Sequence, residues 1–213
     1  MSSKKPEIST YQEPELQEKT GTYCDATDKV VQNSCNSIKV TRGEWLLYNE
    51  TCYKGSCVRL PRSVTEPAAY LTVESIGEHL IGHQEEPAKL TWDDNVSSLR
   101  PINQANCLTK YLLLNLCGEN EEHQEKNNDP ENYQIQSIVA RGRYTWELYP
   151  TGDPLFGYDW NDNKPIILYP GKEHDILDVT RIPGYKGDGR LRVVLVKPVY
   201  YHPCPPCPYP GKE

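Results

Sequence analysis

Asp93-Asp94-Asn95-Val96-Ser97-Ser98 places two carboxylates and two serine hydroxyls in one short run. Hard oxygen donors of this kind suit calcium, which takes about six to eight oxygens from carboxylates, carbonyls and hydroxyls. The competing reading is that Asp94 and Ser97 only hydrogen-bond within their own turn, as Asp and Ser commonly do. Three other sets invite chemistry and carry less. His79 and His83 have the i, i+4 spacing of a zinc-binding helix, but Gly82 and the shortness of the segment favour loop histidines. Cys204-Pro205-Pro206-Cys207 has redox spacing, yet a redox motif opens a helix after a strand and these prolines allow neither. A local disulfide or two free thiols fits better. Gly184-Tyr185-Lys186-Gly187-Asp188-Gly189 begins no helix and reads as a turn rather than a phosphate cradle. With no nucleophile elbow and no zincin helix in the chain, a non-enzymatic protein is expected.

The elements that must hold the oxygen-rich loop are strands. Fifteen Tyr and four Trp stand against one Phe, a bias that suits strands whose rings are buried while the polar tip reaches a turn or water. Eighteen Pro and fourteen Gly call for many turns and few long helices; Ser75–Ile81 allows one helical turn at best. A repeat marks two similar halves. Val40-x-Arg42-Gly43-x-Trp45-x-Leu47-Tyr48 returns as Val139-x-Arg141-Gly142 followed by Trp146-x-Leu148-Tyr149, and each copy follows a Ser-Ile pair, Ser37-Ile38 and Ser137-Ile138. The acidic run 118–132 reads as an exposed loop, and the proline-dense tail 200–213 cannot pair as a central strand.

A net charge of −7 argues against a nucleic-acid partner, which would demand a basic face. No apolar run has the length of a membrane span, and Met1–Glu7 lacks the apolar core of a signal peptide, so a cytoplasmic location is expected. Eight cysteines in near pairs, Cys24/Cys35, Cys52/Cys57, Cys107/Cys117 and Cys204/Cys207, would equally suit a secreted disulfide framework. The sequon Asn95-Val96-Ser97 opposes that route, because a glycan would cover the oxygen-rich loop.

Upstream of the loop, Tyr48-Asn49-Glu50-Thr51-Cys52-Tyr53-Lys54-Gly55 has the aromatic–x4–aromatic–x–Gly pattern of a folded hairpin. Hairpin and loop in this order, closed by Ser98-Leu99-Arg100-Pro101-Ile102, resemble the two signatures of a βγ-crystallin Greek key. The resemblance implies an all-β chain of two Greek-key β-sandwich domains. The N-terminal domain would span 1–102, with keys at about 7–40 and 41–102. A linker at 103–109 would lead to a C-terminal domain at 110–199, with keys at about 110–140 and 141–199, and then the Pro/Cys-rich tail. Tyr48 and Tyr53 would pack over the hairpin, Gly55 would supply its unusual torsion, and Ser98 would pin it, as Ser37 and Ser137 would in their keys. The first key departs from the pattern, with Leu16 for the second aromatic and Glu18 for the glycine, and the fourth has Arg190 where the serine belongs.

The resemblance also implies ligand roles for calcium: a carbonyl from Asn95, a hydroxyl from Ser97, the Asp94 carboxylate toward the neighbouring site, and Asn33 from the first key. With few charged ligands the affinity would be weak. The implied function is that of a stable, highly soluble structural protein of eye-lens or stress type, self-associating or associating with other crystallin-like chains. The alternative is a secreted, disulfide-linked binding or effector module on the same fold.

Overall fold

The computed structural model describes residues 5–30, 34–63, 67–83, 92, 95–102, 107–123, 135–142, 144–150, 166–169, 174–181 and 191–196. Strands dominate these residues. In chain order they are β1 (Glu7–Glu13), β2 (Gln17–Tyr23), β3 (Ser37–Glu50), β4 (Lys54–Ser63), β5 (Ala68–Tyr70), β6 (Leu80–His83) and β7 (Ser98–Ile102). After them come β8 (Cys107–Tyr111), β9 (Asn120–His123), β10 (Ser137–Arg141), β11 (Thr145–Pro150), β12 (Ile166–Leu168), β13 (His174–Ile176) and β14 (Leu191–Val196). The pairings between them are antiparallel.

Gly43 divides β3 between two layers. It takes φ +83°, and a Cβ there would lie 2.8 Å from the Cβ of Pro6, so only glycine fits comfortably. Before Gly43 the strand pairs with β1 and β5; after it, with β4 and β7. β2 flanks β1, and β6 flanks β4. The two layers also exchange strands. The stretch around Thr27 bonds to β7, with Thr27 N donating to Leu99 O at 2.8 Å and Leu99 N returning to Thr27 O at 2.9 Å. β5, from the second key, pairs with the first half of β3. The first key thus lends a bridge and the second a strand to the other's sheet, which interlocks the Greek keys. The C-terminal half repeats the plan in two sheets, β13-β10-β8-β9 and β12-β11-β14. Gly142, at φ +96°, stands between β10 and β11 where Gly43 stands within β3.

The run Trp45-Leu46-Leu47-Tyr48 shows why the sequence is apolar without alternation here. Side chains alternate across a strand, and both faces of this one are covered. Trp45 and Leu47 join Ile8, Ile38, Val58 and Leu99 in the N-terminal core. Leu46 and Tyr48 face the other way, into a cluster with Cys57, Ile102, Tyr111, Leu116, Cys117 and Val139 that joins the two halves. A third cluster, around Leu108, Ile138, Trp146 and Leu148, fills the C-terminal half.

Several expectations shift. The helical turn is Val73–Gly77 rather than Ser75–Ile81. Thr72 caps it, its hydroxyl accepting from Ser75 N while Thr72 N donates to Ser75 Oγ. Residues 107–109, assigned to the linker, lie in β8, because Cys107–Tyr111 is buried throughout and pairs with β10. The acidic run assigned to a loop contributes β9, an edge strand whose backbone pairs with β8; an edge position lets Glu122 stay in water while its main chain bonds. His79 follows the helix and His83 sits in β6, so they share no helical face. The tail 200–213, Gly184–Gly189 and Arg190 lie outside the described residues. Among those residues, no helix is long and apolar enough to cross a membrane.

Candidate functional site

Three hairpins carry one local geometry. Positive φ occurs at Glu15, Leu16 and Glu18 in the first, at Cys52, Tyr53 and Gly55 in the second, and at Asn115, Leu116 and Gly118 in the third. A serine from the closing strand stitches each one. Ser98 Oγ donates to Glu50 O at 2.6 Å and accepts from Tyr53 N at 2.9 Å. Ser37 does the same with Glu13 O and Leu16 N, and Ser137 with Leu113 O and Leu116 N. At the glycine position a side chain collides: a Cβ on Gly55 would run into Asn49 Oδ1, which accepts from Ser56 N at 2.7 Å. Glu18 holds φ +50° at the equivalent place, a conformation that costs an L-residue about 1–2 kcal/mol. Tyr48 and Tyr53 meet edge to face at 5.6 Å over the second hairpin.

Of the calcium candidates, Asn95 and Ser97 are described, and Asn33 and Asp94 lie outside the described residues. Asn95 forms an antiparallel bridge with Ser34, which lays the first key's loop against the second key's loop. Ser97 is buried and its main chain is fixed on both sides, N donating to Tyr48 O at 2.8 Å and O accepting from Val30 N at 2.7 Å. Asn95 and Ser97 carry oxygen donors, the kind calcium requires. Among the described residues no cluster of three or more His, Cys, Asp or Glu side chains is placed to hold a metal. A site here would depend on neutral ligands as much as on charge, which sets its affinity low.

The most elaborate polar chemistry lies between the halves, and the sequence reading missed it. Arg100, on β7, is 3 % exposed. Its Nε donates to Tyr48 Oη at 2.9 Å, Nη1 to Gly118 O at 2.8 Å and Asn120 Oδ1 at 2.9 Å, and Nη2 to Leu116 O at 2.7 Å. The guanidinium also lies 4.5 Å from the ring centre of Tyr53, 4.6 Å from that of Tyr111 and 5.1 Å from that of Tyr48, distances at which the ring quadrupole attracts a cation. Burial opposes the charge, but the interactions with Tyr48 and Tyr111, among them the hydrogen bond to Tyr48 Oη, offset it and hold the pKa of Arg100 above its ordinary value. Burial in turn pushes the Tyr48 and Tyr111 phenols upward, so both stay neutral.

A second link is a ring of alternating charge. Arg59 Nε bonds to Glu44 Oε1 and Arg59 Nη1 to Asp175 Oδ2. Arg141 closes the ring, with Nη2 at 3.2 Å from Glu44 Oε1 and Nη1 at 2.8 Å from Asp175 Oδ1. Glu44 and Arg59 come from the N-terminal half, Arg141 and Asp175 from the other. Burial alone would raise the pKa of Glu44, but Arg141 and Arg59 outweigh it and hold the carboxyl below the usual range. The signal available in the sequence was indirect: a charged Arg100 inside the apolar strand Ser98–Ile102, and a four-residue apolar run that had to be covered on both faces.

Cys24, Cys35, Cys52, Cys57, Cys107 and Cys117 are thiols, so none of the near pairs among them is bridged; Cys204 and Cys207 lie outside the described residues. Burial pushes the Cys107 thiol up to about 11.

Residues 7–102 match the family model described as Beta/Gamma crystallin. The structure is similar to that of Geodin, a beta-gamma crystallin from Geodia cydonium. The match has a TM-score of 0.57 and 15% identity, and covers 89% of this chain and 98% of that one. At that identity the likeness speaks for the fold alone. No curated protein matches the chain.

Proposed function

With residues 7–102 being of the Beta/Gamma crystallin family, we propose that the chain is a non-enzymatic structural protein of two Greek-key domains that binds calcium weakly in its N-terminal half. The observation that carries the calcium reading is the Ser34–Asn95 bridge, which sets the loops of the first two keys side by side. Asn95 would offer its carbonyl, Ser97 its hydroxyl, and Asn33 and Asp94 their side-chain oxygens. The bound ion would tie the two loops together and so stabilise the folded chain by mass action, in proportion to free calcium over the dissociation constant. With this ligand set the constant falls near the weak end of protein calcium sites, about 10⁻⁴–10⁻³ M. The six described thiols favour a reducing, cytoplasmic setting over the secreted disulfide module. Durable packing supports a structural role, in which self-association or association with similar chains replaces turnover.

Calorimetric titration of the full chain with calcium tests the site. The expected result is saturable heat that Ser97→Ala weakens by tenfold or more. Identical heats from both chains would remove the assignment.

A further inference from the structure

Cys57 and Cys117 are both fully buried in the cluster that joins the halves, one contributed by each half. Cys57 lies on β4 two residues beyond Gly55, and the Cys117 thiol points at Gly55 O from 3.7 Å. Both cysteines pack in this one cluster with Tyr48, Tyr111 and Leu116. Tyr48 belongs to the same cluster, and the Arg100 guanidinium favours a thiolate at Cys57. Within the closed interface, burial and the neighbouring Cys117 push the Cys57 thiol well above its ordinary pKa, so it is unreactive. That protection is conditional. When the halves part, the thiol regains ordinary acidity, near 8.5, and meets solvent.

We propose that Cys57 and Cys117 are a latent clasp, which glutathione disulfide or a similar small disulfide closes into a covalent bond between the two halves after a transient opening. In the first step one cysteine thiolate attacks a sulfur of the small disulfide; a protein–glutathione bond forms and one glutathione thiolate leaves. In the second step the other cysteine thiolate attacks the protein-borne sulfur; the Cys57–Cys117 bond forms and the second glutathione leaves. Two protein thiols and one glutathione disulfide become one protein disulfide and two glutathione thiols. The two protons pass to the leaving thiolates, and two electrons pass from protein to oxidant. Geometry drives the second step. A glutathionyl group has no room in the packed cluster, so reclosure expels it and brings Cys117 onto Cys57. The product bridges about sixty residues of chain, a span over which a cross-link strongly restricts the unfolded state. An opened molecule that has met oxidant is thereby returned to the closed form and held there.

The test incubates the full chain with glutathione disulfide at sub-denaturing urea, then blocks free thiols and digests with trypsin without reduction. The expected product links the peptide Gly55–Arg59 to the peptide Tyr111–Lys126. Its yield rises with urea up to the unfolding transition, and the oxidised chain unfolds at a higher urea midpoint. Cys57→Ser and Cys117→Ser each abolish that midpoint shift. Recovery of the two peptides unlinked, separately glutathionylated or joined to other cysteines would overturn the proposal. So would an equal midpoint shift in Cys57→Ser. The peptide map of the unaltered chain decides the matter even where a serine variant folds poorly.

Discussion

The Nε of Arg100 donates to the phenol oxygen of Tyr48 at 2.9 Å, and the same phenol donates onward to Leu116 O at 2.6 Å. Two residues of the N-terminal half thus converge on a hairpin carbonyl of the other half, and Arg100 reaches that carbonyl a second time through Nη2. A buried cation is costly unless its donors are satisfied. Here carbonyl, amide and phenol oxygens take that role alongside three aromatic faces.

Arg100→Met keeps the volume and removes the donors, leaving Gly118 O and Asn120 Oδ1 short of partners. A buried unsatisfied acceptor costs about 1–3 kcal/mol, so the variant should lose about 3 kcal/mol or more. Urea unfolding followed by tryptophan fluorescence reads this loss. Arg100→Lys, which supplies charge without the planar fork, should recover less than half of it. A methionine variant as stable as the parent would mean that the latch is ornamental.

The hairpins give a prediction of opposite sign. Glu18→Gly relieves the left-handed torsion at the one described hairpin without a glycine there, against the entropy that glycine adds to the unfolded chain. The net gain should be about 0.5–1 kcal/mol, visible as a higher melting temperature. Ser98→Ala strips the second hairpin of two hydrogen bonds and should lose about 2 kcal/mol. A neutral Glu18→Gly would show that the first hairpin relaxes its backbone in some other way.

Acid should act on the charge ring. Folding lowers the pKa of Glu44 from its ordinary 4.5, so its contribution is complete above that value and is lost as pH falls through the folded-state value. Glu44→Gln should therefore be less stable than the parent at pH 7, by about 3 kcal/mol, since it leaves Arg59 and Arg141 without their shared carboxylate. The two stability curves should converge as pH drops below 4.5. Unfolding free energies measured from pH 7 to pH 2.5 check this; curves that stay parallel would assign the acid response to other carboxylates.

Local patterns in the sequence were enough to locate the hairpins. The Tyr48–Gly55 spacing, the serines at 37, 98 and 137, and the doubled Arg-Gly motif each encode a backbone event at a fixed place. Gly43 and Gly142 proved to be the points where the chain passes between sheets, which the repeat marked without explaining. The contacts of Arg100, the ring of Glu44, Arg59, Arg141 and Asp175, and the meeting of Cys57 with Cys117 were not legible. Each joins residues that lie far apart in the chain, and none has a local spacing to betray it. β9 was hidden for another reason. An edge strand needs main-chain pairing but little apolar surface, so Glu121 and Glu122 read as solvent-facing loop.

The single strand β3 belongs to both layers of its sandwich, with no break at Gly43. A tear that starts among the pairings of one sheet must therefore travel along a backbone that the other sheet still grips. Fraying at an outer edge, where β2 or β6 peels away, can remain a local event. Loss of β3 cannot, and the N-terminal layers should come apart together or not at all.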